Sequence, residues 1–297
     1  MKKSVEVRTL FDAVARRYDL LNSLLSAGAD RMWRRAAVRL SGARPGDTVL
    51  DLCTGTGKLA QAFADTGCTV TAVDFSLEML RLAARSHSAH RKPPRETAAP
   101  EGIGEGPNGW ASRQCYAIRT PRSGTISIPP SARGPSGSRA PGTPPSGTID
   151  FVAGDATSPP LLGRFDIVSI AFGLRNLENP RRGIETMREL AKPGGRIVVL
   201  ELVRPTGLRL AAYRFYLDRL IPILGGLLSR RGSVPTAEDT SSVPDLRSPP
   251  YRYLADSVLG FWTAEELGAA IESSGMRASL TTRSGGIVAI GIGSVSG

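Results

Sequence analysis

The stretch that decides the fold is VLDLCTGTGKLA, Val49 to Ala60, in which a run of β-forming residues leads into a glycine-rich loop and then a helix. A strand, a glycine loop and a helix in this order are typical of α/β domains that bind a cofactor or a nucleotide. The glycines let the backbone approach a ligand, because no Cβ stands in the way. The loop could hold a phosphate, a dinucleotide or a sulfonium cofactor.

Strands and helices alternate on both sides of this loop. Strands that are apolar throughout and alternate with helices indicate a parallel sheet covered on both faces. A hairpin near the C-terminus predicts an antiparallel edge. The predicted strands are 48–53, 69–74, 149–155, 165–172, 196–203, 277–283 and 286–292, and the predicted helices are 7–25, 30–40, 57–66, 76–85, 180–191 and 263–274.

Capping residues support three of these helices. Asp30 and Ser76 are each predicted to cap the helix that begins at that position. Thr263 is followed three residues later by Glu266, which is the spacing of a capping box. These patterns together predict an α/β fold with a mostly parallel sheet.

A single domain spanning residues 1–297 is expected, with two interruptions. Between residues 86 and 148, proline, glycine, serine and arginine are abundant and hydrophobic periodicity is lost, which predicts a disordered insert. His87 and His90 fall in this insert and are expected to be solvated. Residues 229–250 have a similar composition and predict an irregular loop.

The formal charge of +11 is compatible with nucleic acid or anionic lipid as a partner. Lys and Arg are scattered along the chain, and no stretch interleaves them with aromatic residues, so nucleic acid is not expected. A basic surface favours contact with anionic lipid instead.

Cysteine spacing and the N-terminal residues indicate a cytoplasmic protein. Cys53, Cys68 and Cys115 form no CxxC pair, so neither a disulfide scaffold nor a zinc site is indicated. The N-terminus carries charged residues where a signal peptide needs an apolar run. The apolar segment 208–228 contains too many charges for a membrane span. We expect a cytoplasmic location, with peripheral contact at the inner face of the membrane.

Comparison of the loop GTGK (55–58) with the sequence fingerprints of known binding loops excludes one of the three candidate ligands and leaves two. A Walker phosphate loop is excluded, because Leu52 stands where its first glycine is needed and Leu59 where its Ser or Thr is needed. A dinucleotide fingerprint is still possible, since the loop has the G-x-G spacing. Asp74 also ends the next strand, where a carboxylate contacts ribose hydroxyls.

Asp51, near the end of the first strand, favours a cationic cofactor. A carboxylate beside the loop repels a pyrophosphate and attracts a positive charge. S-adenosylmethionine carries a sulfonium and an ammonium group, one ribose and no phosphate, so it suits Asp51 together with Asp74. A tight strand-to-helix turn without a ligand is the remaining alternative.

Several blocks along the chain carry a family resemblance. The blocks are RYDLLN (17–22), VLDLCTGTGKLA, VDFSLEML (73–80), AFGLRNLENP (171–180), MRELAKPGGRIVVLELVRP (187–205) and YRYLADSV (251–258). In this order they resemble the signature blocks of the UbiE/MenG/Coq5 family of quinone-biosynthesis C-methyltransferases, and FGLRN with YRYLADS is the most specific combination. The resemblance covers the chain outside the two inserts. It implies a class I S-adenosylmethionine-dependent methyltransferase, Rossmann-like, with a mostly parallel sheet and an antiparallel C-terminal edge strand.

The resemblance also implies a reaction. A methyl group passes from S-adenosylmethionine to a ring carbon of demethylmenaquinol in menaquinone biosynthesis, or of the ubiquinol precursor. The partner is then a polyprenyl hydroquinone, and the segment 208–228 either lines a channel for its tail or is a core helix. Two alternatives stay open: a nucleotide-dependent oxidoreductase, and a non-catalytic relative that binds cofactor or lipid.

Cofactor contacts follow from the resemblance residue by residue. They are Asp51 at the amino-acid end, Gly55 and Gly57 for backbone clearance, Asp74 at the ribose hydroxyls, and Asp155 with Ala156 at the adenine.

On the substrate side, the resemblance implies that Arg175 and Asn176 hold the quinol oxygen, directly or through water. Arginine is a poor base because its pKa lies above 12, so Arg175 is interpreted as a phenolate stabiliser or a water orienter. Tyr18 either closes the pocket or is a core aromatic residue. No metal site is expected, because the methyl transfer needs none.

Three positions depart from the family pattern. Lys58 replaces the acid of the family's GTGD block, and Ala60 and Ala171 stand where relatives often carry hydroxyl side chains. Each lost neutral hydrogen bond is expected to weaken cofactor binding by about 0.5–1.5 kcal/mol.

Overall fold

Helices and strands alternate through most of the fold. The structure is a computed structural model, and the residues described are 26, 28–90, 147–161, 163–215 and 256–297. The strands are β1 Thr48–Leu52, β2 Thr69–Asp74, β3 Ile149–Ala153, β4 Phe165–Ala171, β5 Ala191–Leu202, β6 Arg277–Arg283 and β7 Val288–Ser294. The helices are α1 Asp30–Ser41, α2 Lys58–Ala64, α3 Leu77–His90, α4 Pro180–Leu190, α5 Leu208–Phe215 and α6 Ala264–Ser273, and a 3-10 turn lies at Leu174–Asn176.

The strands form one sheet in the order β3-β2-β1-β4-β5-β7-β6. The first five strands in this order run parallel, whereas β7 pairs antiparallel with both β5 and β6. The order reverses between β1 and β4, so the connections leaving these two strands diverge and open a crevice at their carboxyl ends. The predicted fold class, with its antiparallel C-terminal edge, is confirmed.

Alternate residues of each central strand pack into two hydrophobic clusters, one on each face of the sheet. In β5, Val198 and Leu200 belong to one cluster and Ile197 and Val199 to the other. Helices α1, α2 and α3 cover the first face, and α4 and α6 cover the second. Because both faces are covered, the central strands are apolar along most of their length, as the sequence indicated.

Two of the three predicted caps are confirmed. Ser76 Oγ accepts the Met79 N–H at 3.2 Å, and Thr263 forms a capping box with Glu266. The prediction for Asp30 is wrong: Asp30 is the first residue of α1, and the preceding Ala29 makes no side-chain cap. The Asp30 carboxylate instead accepts a hydrogen bond from Arg34, one turn further along the helix.

The first insert begins later than predicted. Helix α3 continues to His90, and His87 is buried, with its Nδ1 2.6 Å from Gln61 Oε1 and its ring edge-on to Phe151. The expectation of a solvated His87 is therefore wrong, because apolar packing extends helix α3 beyond the change in composition. At the other end, the Gly147 N–H is bonded to the Ala64 carbonyl oxygen.

Several predicted features lie outside the described residues. These include the helix at 7–25 with Tyr18, the loop at 229–250, and most of the insert and of the segment 208–228. Within the described ranges, no helix is both long enough and apolar enough to cross a membrane.

Candidate functional site

The glycine loop between β1 and α2 turns sharply at the carboxyl edge of the sheet. Three of its residues have positive φ: Cys53 at 52°, Gly55 at 56° and Gly57 at 76°. Two backbone hydrogen bonds hold the turn, from the Thr54 N–H to the Val73 carbonyl at 3.0 Å and from the Gly57 N–H to the Thr54 carbonyl at 2.9 Å. A positive φ in a non-glycine residue such as Cys53 is strained, and such strain is concentrated at functional sites.

Asp51 lies buried beneath this loop. The register of β1 against β4 places it opposite Ser169, whose Oγ donates to it at 2.7 Å, and the Thr54 hydroxyl donates at 2.6 Å. Burial raises the pKa of Asp51 to about 6, against the lowering effect of these hydrogen bonds and of nearby Arg34. The charged form of Asp51 is therefore incompletely stabilised by the protein, and a cation placed beside it would be favoured.

Asp74, at the end of β2, connects the loop to the start of α3. One of its carboxylate oxygens accepts the Gly55 N–H at 2.8 Å and the other accepts the Ser76 N–H at 2.9 Å. Asp74 thus fixes the direction of the glycine loop, and its position at a strand end suits contact with ribose hydroxyls.

The end of β3 lies beside Asp74. The Gly154 N–H donates to the Asp74 carbonyl oxygen at 3.0 Å, which brings Asp155 and Ala156 to the same edge of the sheet. Asp155 is exposed and accepts hydrogen bonds from the Thr157 N–H and hydroxyl, both at 2.8 Å, whereas Ala156 is buried. The structure therefore brings Asp51, both loop glycines, Asp74 and the Asp155–Ala156 pair to one edge, as the sequence predicted.

The two loop glycines have different surroundings. A Cβ added to Gly55 would meet no protein atom within 4 Å, whereas one added to Gly57 would lie 3.1 Å from Ala83 and 3.4 Å from Phe151. Gly55 therefore faces open space, where a ligand can approach the backbone, and Gly57 permits close packing of the loop against α3.

The turn after β4 forms the opposite wall of the crevice. Phe172 has a positive φ of 57°, and Gly173 packs so closely on the Cys53 side chain that no Cβ fits there. The Phe172 carbonyl oxygen accepts hydrogen bonds from Arg175 Nη1 at 2.8 Å and from Asn176 Nδ2 at 3.2 Å. The 3-10 turn that carries both predicted substrate residues is thus folded back onto the end of β4.

Arg175 forms a buried ion pair that the sequence analysis missed. Its guanidinium contacts Glu201 at the end of β5 and donates to the Ser257 hydroxyl at 3.3 Å. Glu201 is fully buried and also accepts the backbone N–H groups of Arg175 and Leu202. Much of the positive charge of Arg175 is therefore balanced within the protein, which weakens its case as a direct phenolate stabiliser.

The three departures from the family pattern lie in different environments. Lys58 Nζ lies 3.9 Å from the carboxylate of buried Asp30, so the lysine side chain is directed toward α1. Ala60 is fully buried in the first turn of α2. Ala171 is half-buried at the end of β4. The expected effect of both alanines on cofactor affinity stays a prediction.

The sequence did contain signals for the residues that were missed. Ser169 and Glu201 are polar residues that interrupt the apolar runs of β4 and β5, and each is buried in the carboxyl half of its strand. A buried polar residue in such a strand needs a partner, which here is Asp51 or Arg175.

The described residues fit S-adenosylmethionine better than a dinucleotide. Two buried carboxylates line the glycine loop, and the backbone at Gly55 is open, so a positively charged ligand without phosphate matches the charge of the site. Burial raises the pKa of the Cys53 thiol well above its usual range, with a further contribution from Asp74, so this residue is an uncharged thiol at the edge of the loop. Within the described ranges, no group of three or more His, Cys, Asp or Glu residues could hold a metal.

Comparison with protein families identifies the chain. The model of the ubiE/COQ5 methyltransferase family matches residues 1–92 and 139–295. The chain belongs to this family. Residues 93–138 lie outside the match, within the predicted insert, and every described residue of the site lies inside it.

Curated relatives of the ubiE/COQ5 chain span nearly its whole length. A demethylmenaquinone methyltransferase of Renibacterium salmoninarum is 32% identical, and the alignment covers 97% of this chain and 92% of that one. A ubiquinone/menaquinone biosynthesis C-methyltransferase UbiE of Stutzerimonas stutzeri is 31% identical, with 97% and 88% covered. The predicted family and enzyme class, a methyltransferase, are confirmed.

Solved structures agree with the fold. A methyltransferase complex with the Trm112 activator of Haloferax volcanii contains a chain that matches with a TM-score of 0.52 at 14% identity, covering 97% of this chain and 98% of that chain. A SAM-dependent methyltransferase of Thermotoga maritima matches with a TM-score of 0.50 at 12% identity, covering 96% and 98%. At these identities the likeness concerns the fold alone.

Substitution of the two loop glycines should affect protein stability and cofactor affinity differently. Gly55→Ala and Gly57→Ala should each lose about 1–2 kcal/mol of stability, because alanine disfavours positive φ. Gly57→Ala should lose more, since its methyl group contacts Ala83 and Phe151. Gly55→Ala should be the variant that loses affinity for S-adenosylhomocysteine, because its methyl group occupies the open space. Denaturant unfolding and calorimetry measure both quantities, and equal affinity losses in the two variants would contradict this assignment.

The raised pKa of Asp51 predicts that cofactor affinity depends on pH. Its pKa of about 6 in the folded chain lies above the ordinary value of 3.8, so the stability linked to this group is highest at low pH and falls as the pH rises through 6. The ammonium group of S-adenosylmethionine favours the ionised carboxylate, so affinity should rise over the same interval. Asp51→Asn should abolish this rise and weaken binding about tenfold to a hundredfold.

Calorimetry between about pH 5 and 8 tests this prediction. Asp166→Asn is the matched control, because Asp166 pairs with Lys192 and Thr48 at the opposite edge of the sheet, and these hydrogen bonds lower its pKa. An Asp51→Asn variant that keeps the pH dependence of the native chain would show that another group is responsible.

Proposed function

We propose that this chain transfers a methyl group from S-adenosylmethionine to a ring carbon of demethylmenaquinol, a polyprenyl naphthoquinol. The observation that carries the proposal is the pair of buried carboxylates, Asp51 and Asp74, at the carboxyl edge where the sheet order reverses. The names of the curated relatives support the substrate. The ubiquinol precursor is a second substrate of the same chemical kind.

S-adenosylmethionine is the methyl donor, and when bound it supplies a methyl group on a positively charged sulfur. Asp74 would bind its ribose hydroxyls, and Asp51 its ammonium group. Asp155 and Ala156 would contact the adenine, and Gly55 would leave room for the ligand beside the backbone. These residues bind and orient the donor, and alignment of the reacting atoms is what such a displacement mainly requires.

On the substrate side, Asn176 is the candidate for direct contact with the quinol oxygen. A ring carbon becomes nucleophilic as the neighbouring hydroxyl loses its proton, so a hydrogen-bond donor at that oxygen stabilises the developing charge. Arg175 would act mainly through its ion pair with Glu201, which holds the 3-10 turn and its charge in place. Tyr18, from the N-terminal segment, would close the pocket over the ring.

A polyprenyl tail requires an apolar surface next to the site. The segment that begins at α5 leaves the carboxyl edge directly after β5, and Leu208 is 90% exposed whereas Tyr213 is buried. This arrangement supports a role for the segment 208–228 beside the tail. We place the protein in the cytoplasm, in peripheral contact with the inner face of the membrane that holds the quinol, and the net positive charge favours anionic lipid there.

The alternative functions receive no support. An oxidoreductase that binds NAD needs the glycine loop to accept a pyrophosphate, and two buried carboxylates beside the loop oppose that charge. Family membership and the names of the relatives also give no support to a non-catalytic role.

An assay of methyl transfer from radiolabelled S-adenosylmethionine to a short-chain demethylmenaquinol tests the proposal. We expect a labelled menaquinol product whose new methyl group is on the ring carbon. Asn176→Ala should lower kcat about a hundredfold while leaving the affinity for S-adenosylhomocysteine unchanged, because no cofactor contact is assigned to its side chain.

Asn179→Ala is the matched control for this assay. Asn179 caps α4 by accepting the Arg182 N–H, so its loss should cost about 1 kcal/mol of stability without changing kcat. If the native chain binds S-adenosylhomocysteine but forms no methylated quinol, the substrate assignment is overturned. A native kcat in Asn176→Ala would overturn the role of Asn176 alone.

A further inference from the structure

Lys58 occupies an unusual position at the start of α2. It directly follows Gly57, and the first turn of α2 contains no acidic residue. The N-terminal end of a helix carries partial positive charge, so a lysine there is disfavoured unless a carboxylate lies nearby. The Asp30 carboxylate supplies that charge, with 3.9 Å between Lys58 Nζ and Asp30 Oδ2.

Asp30 holds two cations at once. Its side chain is 4% exposed, and it also pairs with Arg34 and accepts a hydrogen bond from the Ser26 hydroxyl at 3.4 Å. The Lys58 side chain is 31% exposed, so solvent reaches the lysine of this ion pair and hardly reaches the aspartate. The start of α1 is therefore connected by an ion pair to Lys58, the residue that ends the glycine loop and begins α2.

The same turn of α1 also contacts the opposite wall of the crevice. The Arg34 guanidinium lies 5.3 Å from the centre of the Phe172 ring, and the Trp33 ring meets Phe172 edge-on at 6.2 Å. Phe172 is the residue of positive φ after β4 whose carbonyl oxygen holds Arg175 and Asn176. The first turns of α1 thus touch both sides of the crevice between β1 and β4.

From these contacts we infer that Lys58 and Asp30 form a positioning pair. The pair holds α1 against the glycine loop and so shapes the cofactor site. Lys58 does this without direct contact with the charged groups of S-adenosylmethionine. The inference rests on the cofactor of the proposed function and not on its quinol substrate. It explains how a lysine is accommodated next to a cationic ligand. The Asp30 carboxylate balances the lysine charge and draws the side chain toward α1.

The alternative role for Lys58 makes the opposite prediction. If Lys58 mainly repels the sulfonium, Lys58→Gln should strengthen the binding of S-adenosylmethionine and leave that of S-adenosylhomocysteine unchanged, since the latter has a neutral sulfur. If Lys58 positions the loop through Asp30, Lys58→Gln should weaken the binding of both ligands by a similar factor. We expect a loss of about two- to fivefold, the range of a partly exposed ion pair.

Calorimetry with both ligands and no quinol tests the inference in the full chain. Lys58→Arg should restore native affinity, because arginine can also reach the Asp30 carboxylate. In an Asp30→Asn background, Lys58→Gln should have no further effect, since its partner charge is already gone. Lys192→Gln is the matched control: it breaks an ion pair with Asp166 at the amino edge, and should leave the affinity of both ligands unchanged.

Two results would overturn the inference. One is unchanged or stronger binding in Lys58→Gln, and the other is a Lys58→Gln effect of the same size in the Asp30→Asn background. If Asp30→Asn does not fold, the affinities of Lys58→Gln and Lys58→Arg for the two ligands still test the inference. It requires weaker binding of both ligands in Lys58→Gln and native affinity in Lys58→Arg. The calorimetry contains no quinol, so a result that overturns the role of Lys58 and Asp30 does not affect the proposed methyl transfer. In the same way, a negative methyl-transfer assay does not affect the binding measurement.

Discussion

Burial of the Asp51 and Asp74 carboxylates at the edge where the sheet order reverses is the constraint on which the site depends. A carboxylate removed from water must be hydrogen-bonded, or its pKa must rise. Hydroxyl groups donate to Asp51, and backbone N–H groups of the glycine loop and of the turn into α3 donate to Asp74. The sharp turn of the loop places the Thr54 hydroxyl toward Asp51 and the Gly55 N–H toward Asp74.

The charge of the whole chain differs from the charge of this crevice. The chain carries a formal charge of +11, yet three cations that the described residues place around the crevice, Lys58, Arg34 and Arg175, each lie beside a carboxylate. Their partners are Asp30 and Glu201, both buried. Asp30 and Glu201 balance two of these three positive charges, and the buried Asp51 and Asp74 add two more carboxylates. The loop therefore keeps an acidic character that suits a cationic methyl donor and disfavours a pyrophosphate.

Much of the fold could be predicted from the sequence, because alternation and strand polarity are local patterns. Asp51 and Asp74 could be placed for the same reason, since both lie where a strand leads into a loop. The pairing of Asp30 with Lys58 and of Arg175 with Glu201 could not, because these residues are distant along the chain and only the topology brings them together. The extent of α3 was also missed, because its last turns are held by tertiary packing and composition does not report that packing.

The most direct test of the central claim is the crystal structure of the chain in complex with S-adenosylhomocysteine. The account predicts that the ribose hydroxyls of the ligand are hydrogen-bonded to Asp74 and that its ammonium group is directed toward Asp51, over an open backbone at Gly55. A ligand bound elsewhere, or bound at this edge with neither carboxylate in contact, would contradict the claim that these two buried charges select the cofactor.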